Sequence, residues 1–175
     1  MAYPVCRTWT ATNDPEANAR AWEGGWFHTG DVMRMGRDGS LNFVERKKNI
    51  IRRSGENIAA IEVEGALASH PQVAQVAVVA APDPIRDEEV LAVVTLKSAV
   101  PDEAAMSREL LSHAAGELAY YKVPAYVLFV DSLPTTSTGK LQKAALKEIA
   151  ADLSGQPPAY DLRGHKQGLR KTLAR

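Results

Sequence analysis

The sequence predicts an α+β fold, in which helices pack on a small sheet and a β-hairpin from a larger domain precedes them. Two segments predict the sheet: Val73–Ala81 and Val90–Lys97 are largely apolar and rich in β-branched residues, as strands covered on at least one face are. A third segment predicts a long helix, which Asp102 can cap. The apolar residues that follow recur at helical spacing, namely Met106, Leu110, Leu111, Ala114 and Leu118.

The first 45 residues predict a short helix followed by a hairpin. Asp14 can cap a helix that starts at Pro15, where proline is well tolerated. Asp38-Gly39 separates the extended segments WFHTGDV and SLNFVER, as in a hairpin turn. Two strands and one short helix cannot enclose a core. We therefore expect this segment to be the edge of a larger domain, with exposed apolar surface that promotes self-association.

Five further elements complete the domain predicted between residues 49 and 150. Ser54-Gly55 marks a tight turn between two short strands, and Pro71 ends the helix that follows them. In order, the elements are the strands Asn49–Arg53 and Glu56–Ala59, the helix Ala60–Ser69, the strand Tyr126–Val130 and a final helix from about Leu141 to Ala150.

Charge and composition exclude several classes of protein. Lys and Arg together number 21, as do Asp and Glu, so no net field favours nucleic acid or an anionic membrane. The longest apolar run, around Val73–Pro82, is far shorter than the roughly 20 residues of a membrane span. The single cysteine, Cys6, excludes an internal disulfide framework and fits a reducing compartment. We expect a soluble, cytoplasmic protein that binds no nucleic acid.

Residues 151–175 differ in composition from the preceding domain. They contain Gly155, Pro157 and Pro158 and then several lysines and arginines. Such segments are commonly solvated and poorly ordered at a chain end. We expect a basic, flexible tail, with a nucleic-acid-binding arm as the alternative.

The stretch LPTTSTGKLQK, at residues 133–143, is a loop that ends in Gly139-Lys140. A phosphate-binding loop of the G-x-x-x-x-G-K-[ST] type is excluded, because Pro134 stands where the first glycine is required and Leu141 follows the lysine. The loop can be an exposed turn, or it can present Lys140 to a reaction centre. Lys143, one helical turn further on, is expected to be solvated.

Three stretches occur in a distinctive order: GWFHTGDV (Gly25–Val32), ERKKNIIRRSGENIAAIEVE (Glu45–Glu64) and YKVPAYVLFVDSLPTTSTGKLQK (Tyr121–Lys143). In this order and spacing they resemble the last third of the acyl-CoA synthetases, which belong to the adenylate-forming enzymes. The likeness covers residues 11–150.

The resemblance implies a carboxylate ligase that uses ATP, Mg²⁺ and coenzyme A. Such enzymes form an acyl-adenylate and release pyrophosphate, and coenzyme A then attacks the adenylate to give a thioester. A small C-terminal domain rotates on the large domain between the two steps. On this interpretation residues 1–47 end the large domain, 48–150 form the mobile lid, and 151–175 are the tail. The rest of the large adenylation domain would be a missing partner, together with the pocket for the carboxylic acid substrate.

The resemblance also implies roles for five residues. Asp31 would bind the ribose hydroxyls of the nucleotide, and Arg46 would contact ATP. Lys48 would be the hinge about which the lid turns. Gly55 would lie beside the pantetheine arm of coenzyme A, and Lys140 would be the catalytic lysine of adenylation.

Each of these residues also has a plain structural explanation. Asp31 can be a turn aspartate, and Gly55 can serve only the tight turn. Arg46 and its basic neighbours can form a solvated strand face. Lys140 can be an exposed loop lysine, although a flexible point charge also suits charge that develops on phosphate oxygens.

No metal site is predicted from the sequence, because the histidines and Cys6 lack the spacing of metal ligands. The histidines are His28, His70, His113 and His165.

Three functional hypotheses remain open. The chain can be a C-terminal fragment of an ATP-dependent acyl-CoA ligase, inactive alone. It can instead be a free-standing, non-catalytic module that binds coenzyme A or regulates a partner. It can also be the lid of an adenylating enzyme that loads a carrier protein. None of the three predicts which acid is activated.

Overall fold

The computed structural model describes residues 14–153 and 159–173. The chain divides into two compact units, Met1–Lys47 and Lys48–Arg175. Cys6, which the sequence did not assign to any site, lies outside the described residues. Each unit has a sheet of its own.

The first unit contains the short helix and the hairpin that the sequence predicts. In α1 (Pro15–Ala21), the Asp14 carboxylate accepts a hydrogen bond from the N–H of Ala17 at 2.8 Å. β1 (Asp31–Met35) and β2 (Leu41–Arg46) pair in antiparallel fashion. These elements confirm the prediction for residues 14–47.

Much of the apolar surface of this unit is open to solvent. Trp26 and Met35 are 74% and 73% exposed, and among the described residues of the unit Glu45 alone is buried. The other exposed large apolar side chains are Phe27, Met33, Leu41 and Phe43. The described part of the unit, residues 14–47, therefore encloses no core, as expected for two strands and a short helix.

The second unit is built on a six-stranded sheet with the order β4-β3-β6-β7-β8, in which β5 also pairs with β6. β6 runs antiparallel to β5 and parallel to β7. The strands are β3 (Ile50–Arg53), β4 (Glu56–Ala59), β5 (Val73–Asp83), β6 (Asp87–Leu96), β7 (Tyr126–Phe129) and β8 (Tyr160–Asp161).

Helices pack on both faces of this sheet. Successive residues of β5 alternate between two cores: Val78 lies in the core with α2 and α3, whereas Ala77 and Val79 lie in the core with α4. The helices are α2 (Ala60–Ala68), α3 (Glu103–Glu117), α4 (Lys143–Ala151) and α5 (Arg163–Leu173). This arrangement confirms the predicted α+β class.

At 15 residues, α3 is the longest helix among those described. The Asp102 carboxylate caps it, as predicted, by accepting a hydrogen bond from the N–H of Ala105 at 2.8 Å. Nowhere in the described ranges is a helix both long and apolar enough to cross a membrane.

β5 and β6 are longer than the sequence predicts. The predicted strands stopped at Ala81 and began again at Val90, whereas the observed strands continue to Asp83 and start at Asp87. The Asp83 carboxylate closes the turn between them by accepting the N–H groups of Ile85 and Arg86 at 3.0 and 2.9 Å. The segment left between the two predicted strands is therefore mostly strand, with a short turn between Asp83 and Asp87.

α4 begins later than predicted, at Lys143 instead of Leu141. Leu141 forms an isolated antiparallel bridge with Thr135, and the N–H of Gln142 donates to the carbonyl of Pro134 at 2.8 Å. These bonds extend the preceding turn and delay the helix.

The predicted flexible tail is corrected where the structure describes it, at residues 159–173. β8 adds a strand to β7, and α5 follows. Leu162 and Lys166 are only 3% and 1% exposed. The basic composition suggested a solvated segment, but Lys166 Nζ lies 3.1 Å from Oε2 of Glu89, a buried carboxylate.

Candidate functional site

Asp31 and Arg46 lie side by side on the β1–β2 hairpin. The strand register pairs the two residues directly, and Arg46 Nε lies 2.7 Å from Asp31 Oδ1. The guanidinium also donates a hydrogen bond to the carbonyl of Thr29 at 3.1 Å. The arginine is thus held beside the carboxylate while about half of its side chain (53%) remains exposed.

The Asp31 carboxylate keeps capacity to accept a hydrogen bond. Its Oδ1 atom is shielded from solvent and accepts no well-directed hydrogen bond, so its contact with Arg46 is ionic in character. A carboxylate has about four lone-pair sites on its two oxygens, and one contact with a guanidinium occupies only part of them. The carboxylate therefore fits a ligand that offers hydroxyl groups.

Lys48 lies at the boundary between the two units, which falls directly before it. It belongs to a short 3₁₀ turn, Lys47–Asn49, and it is exposed. Its carbonyl accepts a hydrogen bond from Lys147 Nζ of α4 at 2.8 Å. An exposed residue in a short connecting segment can change its backbone angles at low cost, as a hinge must.

Gly55 lies in the turn between β3 and β4. Gly55 and Ser54 both have positive φ angles, +86° and +50°, as two-residue hairpin turns require. A Cβ atom at Gly55 would meet no atom within 4 Å, so a ligand could approach the backbone here. The N–H of Ser54 donates to the carbonyl of Arg86 at 2.9 Å, which ties this turn to the turn between β5 and β6.

Lys140 lies in a tight turn between β7 and α4. The N–H of Thr136 donates to the Lys140 carbonyl at 2.8 Å, and the N–H of Lys140 donates to the Thr136 hydroxyl at 3.1 Å. Gly139 supplies the positive φ, +77°, that the turn needs. Lys140 is exposed, and within the described part of the chain no carboxylate pairs with its ammonium group. A fixed backbone with a free cation suits contact with phosphate oxygens.

Lys143 is not solvated, in contrast to the expectation. Its Nζ lies 2.8 Å from Glu64 Oε1, and both side chains are about four-fifths buried. Glu64 also accepts the N–H of Val78 at 2.9 Å. This pair joins the start of α4 to α2 and to the sheet, next to the loop that carries Lys140.

A buried ionic network that the sequence did not reveal lies beside the β3–β4 turn. Glu89 is 1% exposed, and its Oε1 lies 2.8 Å from Arg53 Nε and 3.3 Å from Arg86 Nε. Its Oε2 lies 3.1 Å from Lys166 Nζ. The ring of Tyr120 lies within 5.8 Å of both the Arg53 guanidinium and the Lys166 ammonium.

The network shifts the proton affinities of two of its members. Burial would raise the pKa of the Glu89 carboxyl, but Arg53 and Lys166 outweigh it and hold that pKa below its usual value. Burial lowers the pKa of Lys166 from 10.5 to about 8, against the opposing effect of Glu89. Both groups therefore carry charge at neutral pH.

Sequence reasoning missed this network because its members come from β3, β6 and α5, which converge only in the fold. One signal was present. Glu89 directly precedes the apolar strand residues that start at Val90, and a carboxylate beside a buried strand needs a partner.

Residues 62–140 match the family model described as the AMP-binding enzyme C-terminal domain. This chain carries an AMP-binding C-terminal domain. The matched range begins in α2 and ends at Lys140, so it contains the sheet strands β5 to β7 and the lysine loop.

The relatives of this AMP-binding C-terminal domain include CoA ligases. A probable CoA ligase of Humulus lupulus is 48% identical over 71% of this chain and 22% of its own length. The 2-methylpropanoate–CoA ligase of the same plant is 41% identical over 78% of this chain and 25% of its own length. The chain thus spans about a quarter of the curated relatives it matches. Other relatives are named as peroxisomal or mitochondrial proteins, from Arabidopsis thaliana and Homo sapiens.

A solved structure of ATP-bound MatB from Rhodopseudomonas palustris has the same domain. It matches with a TM-score of 0.70 and 32% identity, and the match covers 82% of this chain and 28% of that one. The AMP-binding C-terminal domain described here therefore shares both fold and sequence with adenylate-forming enzymes.

Proposed function

We propose that this chain is the C-terminal portion of an ATP-dependent acyl-CoA ligase. Residues 1–47 would end its large domain, and 48–150 would form the lid that turns on that domain, with residues 151–175 attached to the lid. The observation that carries the proposal is the exposed Lys140, which pairs with no carboxylate among the described residues, on a hydrogen-bonded turn inside the matched domain.

In the first step, a carboxylate oxygen attacks the α-phosphorus of ATP, and the bond to pyrophosphate breaks. Asp31 would hold the ribose hydroxyls, and Arg46 beside it would contact the phosphates. Lys140 would stabilise the negative charge that develops on the phosphate oxygens, more in the transition state than in the ground state. Mg²⁺ would neutralise phosphate charge, and no residue of this chain is assigned to it.

In the second step, the sulfur of coenzyme A attacks the acyl carbonyl, AMP leaves, and the thiol proton passes to solvent. The lid would turn about Lys48 between the two steps and bring Gly55 beside the pantetheine arm. The open space at Gly55 and the exposure of Lys48 support these roles.

We also propose that the chain alone catalyses neither step, since it spans about a quarter of its relatives. Its exposed apolar side chains, among them Trp26 and Met35, would pack against the large domain. In the isolated chain they would drive self-association, which sedimentation at increasing concentration would detect. The lone Cys6 supports a cytoplasmic setting.

A chimera tests the proposed function. This chain replaces the matching quarter of the 2-methylpropanoate–CoA ligase of Humulus lupulus, and both half-reactions are measured with 2-methylpropanoate. We expect acid-dependent exchange of pyrophosphate into ATP, and thioester formation when coenzyme A is added. Exchange without thioester, rescued by a phosphopantetheine-bearing carrier protein, would indicate a carrier-loading enzyme.

Titration of the isolated chain with coenzyme A separates the remaining alternative. A free-standing module would bind coenzyme A tightly without a large domain, whereas a lid would not. Tight binding by the isolated chain, together with a chimera inactive in both steps, would overturn the ligase proposal.

A further inference from the structure

We propose that the segment from β8 to α5 is a brace that holds the β3–β4 turn in position, with Lys166 as its positioning residue. The proposal deepens the proposed function, because that turn is the one assigned to coenzyme A. It concerns a part of the chain outside the matched domain range.

The brace is anchored to the sheet at its start. β8 pairs with β7, with Asp161 opposite Tyr126, and the N–H of Leu162 donates to the carbonyl of Ala125 at 2.8 Å. Leu162 is buried among the core residues shared with α2 and α3. α5 therefore starts from a fixed point.

The brace then contacts the β5–β6 hairpin on either side of its turn. Lys166 Nζ lies 3.1 Å from Glu89 Oε2, after the turn, and Arg163 Nη1 lies 3.4 Å from Asp83 Oδ2, before it. The Asp83 carboxylate also accepts the backbone N–H groups within the turn. Two cations of one helix thus fix the two acidic residues that frame this turn.

The turn between β5 and β6 contacts the turn between β3 and β4 and holds it in place. Glu89 uses its second oxygen to bind Arg53, 2.8 Å away, and the N–H of Ser54 donates to the carbonyl of Arg86 at 2.9 Å. β3 and β6 share only one backbone pair, Arg53 opposite Asp87, and a further hydrogen bond, in which the N–H of Arg52 donates to the Glu88 carboxylate at 2.7 Å. The side-chain path from Lys166 through Glu89 to Arg53 adds a buried ionic connection at the end of β3.

The burial of the network indicates a positional role. Lys166, Glu89 and Arg53 are each at most 4% exposed. Desolvation offsets much of the attraction within buried ion pairs, so such pairs contribute little net stability, but they can fix a single geometry. One oxygen of the Glu89 carboxylate faces Arg53 of β3 and Arg86 of the β5–β6 turn, and the other faces Lys166 of α5.

Amide hydrogen exchange on the full chain tests the brace. In Lys166→Met the side chain keeps its length and loses its charge, so Glu89 is released on the α5 side. We expect the Ser54 amide to exchange about tenfold faster than in the unaltered chain, while amides in the centre of the β5–β6 ladder keep their rates. Lys97→Met is the matched control, because Lys97 Nζ donates to the carbonyl of Pro71 elsewhere in the unit.

Two results would overturn the brace. One is an unchanged Ser54 rate in Lys166→Met, and the other is an equal acceleration throughout the sheet, which marks loss of global stability. Arg163→Gln provides a second, milder variant, because this side chain is 44% exposed and its removal leaves the buried network intact. We expect amide exchange at Ser54 to accelerate less in this variant than in Lys166→Met. If Ser54 exchanges no faster in Arg163→Gln or in Lys166→Met, the proposal is contradicted.

The exchange experiment contains no ligand, so its outcome is independent of the proposed function. If the Ser54 amide exchanges faster in Lys166→Met but the chimera lacks both half-reactions, the brace is supported and the ligase proposal is contradicted. If the exchange rate is unchanged but the chimera is active, the ligase proposal is supported and the brace is contradicted.

Discussion

Two lysines of this chain differ in environment and therefore in the use the fold makes of them. Lys140 is exposed and pairs with no carboxylate among the described residues, so its charge is available to a ligand. Lys166 is 1% exposed, and its charge is committed to Glu89. Sequence patterns single out the first, because it follows Gly139 in a hydroxyl-rich loop. They do not single out the second, because its partner lies far away in the chain.

The titration of Lys166 gives a prediction about pH. The pKa of Lys166 is about 8 in the folded chain and 10.5 in the unfolded chain. Between these two pH values the unfolded state therefore binds more protons than the folded state. The free energy of unfolding should therefore rise with pH over that window, by an amount on the order of 3 kcal/mol from this group.

Lys166→Met removes this contribution. Urea titrations at about pH 7 and pH 10.5 give the free energy of unfolding of the unaltered chain and of the variant. The contributions of the other titrating groups cancel in the difference between the two chains. We expect the unaltered chain to gain stability relative to the variant as pH rises. Parallel pH profiles for the two chains would show that Lys166 does not titrate in this window.

At the scale of elements, the turns were predicted better than the strand ends. Asp38-Gly39 and Ser54-Gly55 mark turns because Gly39, Gly55 and Ser54 adopt positive φ there, which is a local requirement. The ends of β5 and β6 depend on pairing between the two strands, so the predicted strands stopped short of Asp83 and Asp87. Pairing of β8 with β7 is likewise non-local, and the basic composition of the tail concealed it.

The candidate site was predicted unevenly for the same reason. The structure places Asp31 opposite Arg46 through a register shift between Val32 and Met33, which the hairpin signal does not reveal. The roles of these two residues, and those of Lys48, Gly55 and Lys140, remain predictions from family resemblance. The partner of Lys143 could not be predicted, since Glu64 on α2 and Lys143 at the start of α4 are far apart in the chain and meet only in the fold.

Gly55→Ala tests the β3–β4 turn as an element. Alanine at a φ of +86° is strained by about 1–2 kcal/mol, so the turn should distort locally. In the chimera we expect slower thioester formation with pyrophosphate exchange preserved. Gly116→Ala is the control, because this glycine lies in α3 without a positive φ and a Cβ atom there meets nothing within 4 Å.

An equal loss of both half-reactions in Gly55→Ala would contradict a role specific to the thioester step. So would an effect of Gly116→Ala as large as that of Gly55→Ala.

At the scale of the whole molecule, the two units differ in their capacity to fold. Both hydrophobic cores lie entirely within the unit that starts at Lys48. We expect a chain of residues 48–175 to unfold cooperatively in urea, with a midpoint close to that of the full chain. A non-cooperative transition after removal of residues 1–47 would show that the lid needs them.

The central claim is that Lys140 supplies charge for adenylation. The most direct measurement is pyrophosphate exchange by the chimera carrying Lys140→Ala, compared with Lys97→Ala at an exposed lysine outside the loop. We predict that Lys140→Ala lowers exchange by at least about a hundredfold, since one removed transition-state contact of this kind costs that much, while thioester formation from preformed acyl-adenylate persists. Exchange at the level of the Lys97→Ala chimera would contradict the account.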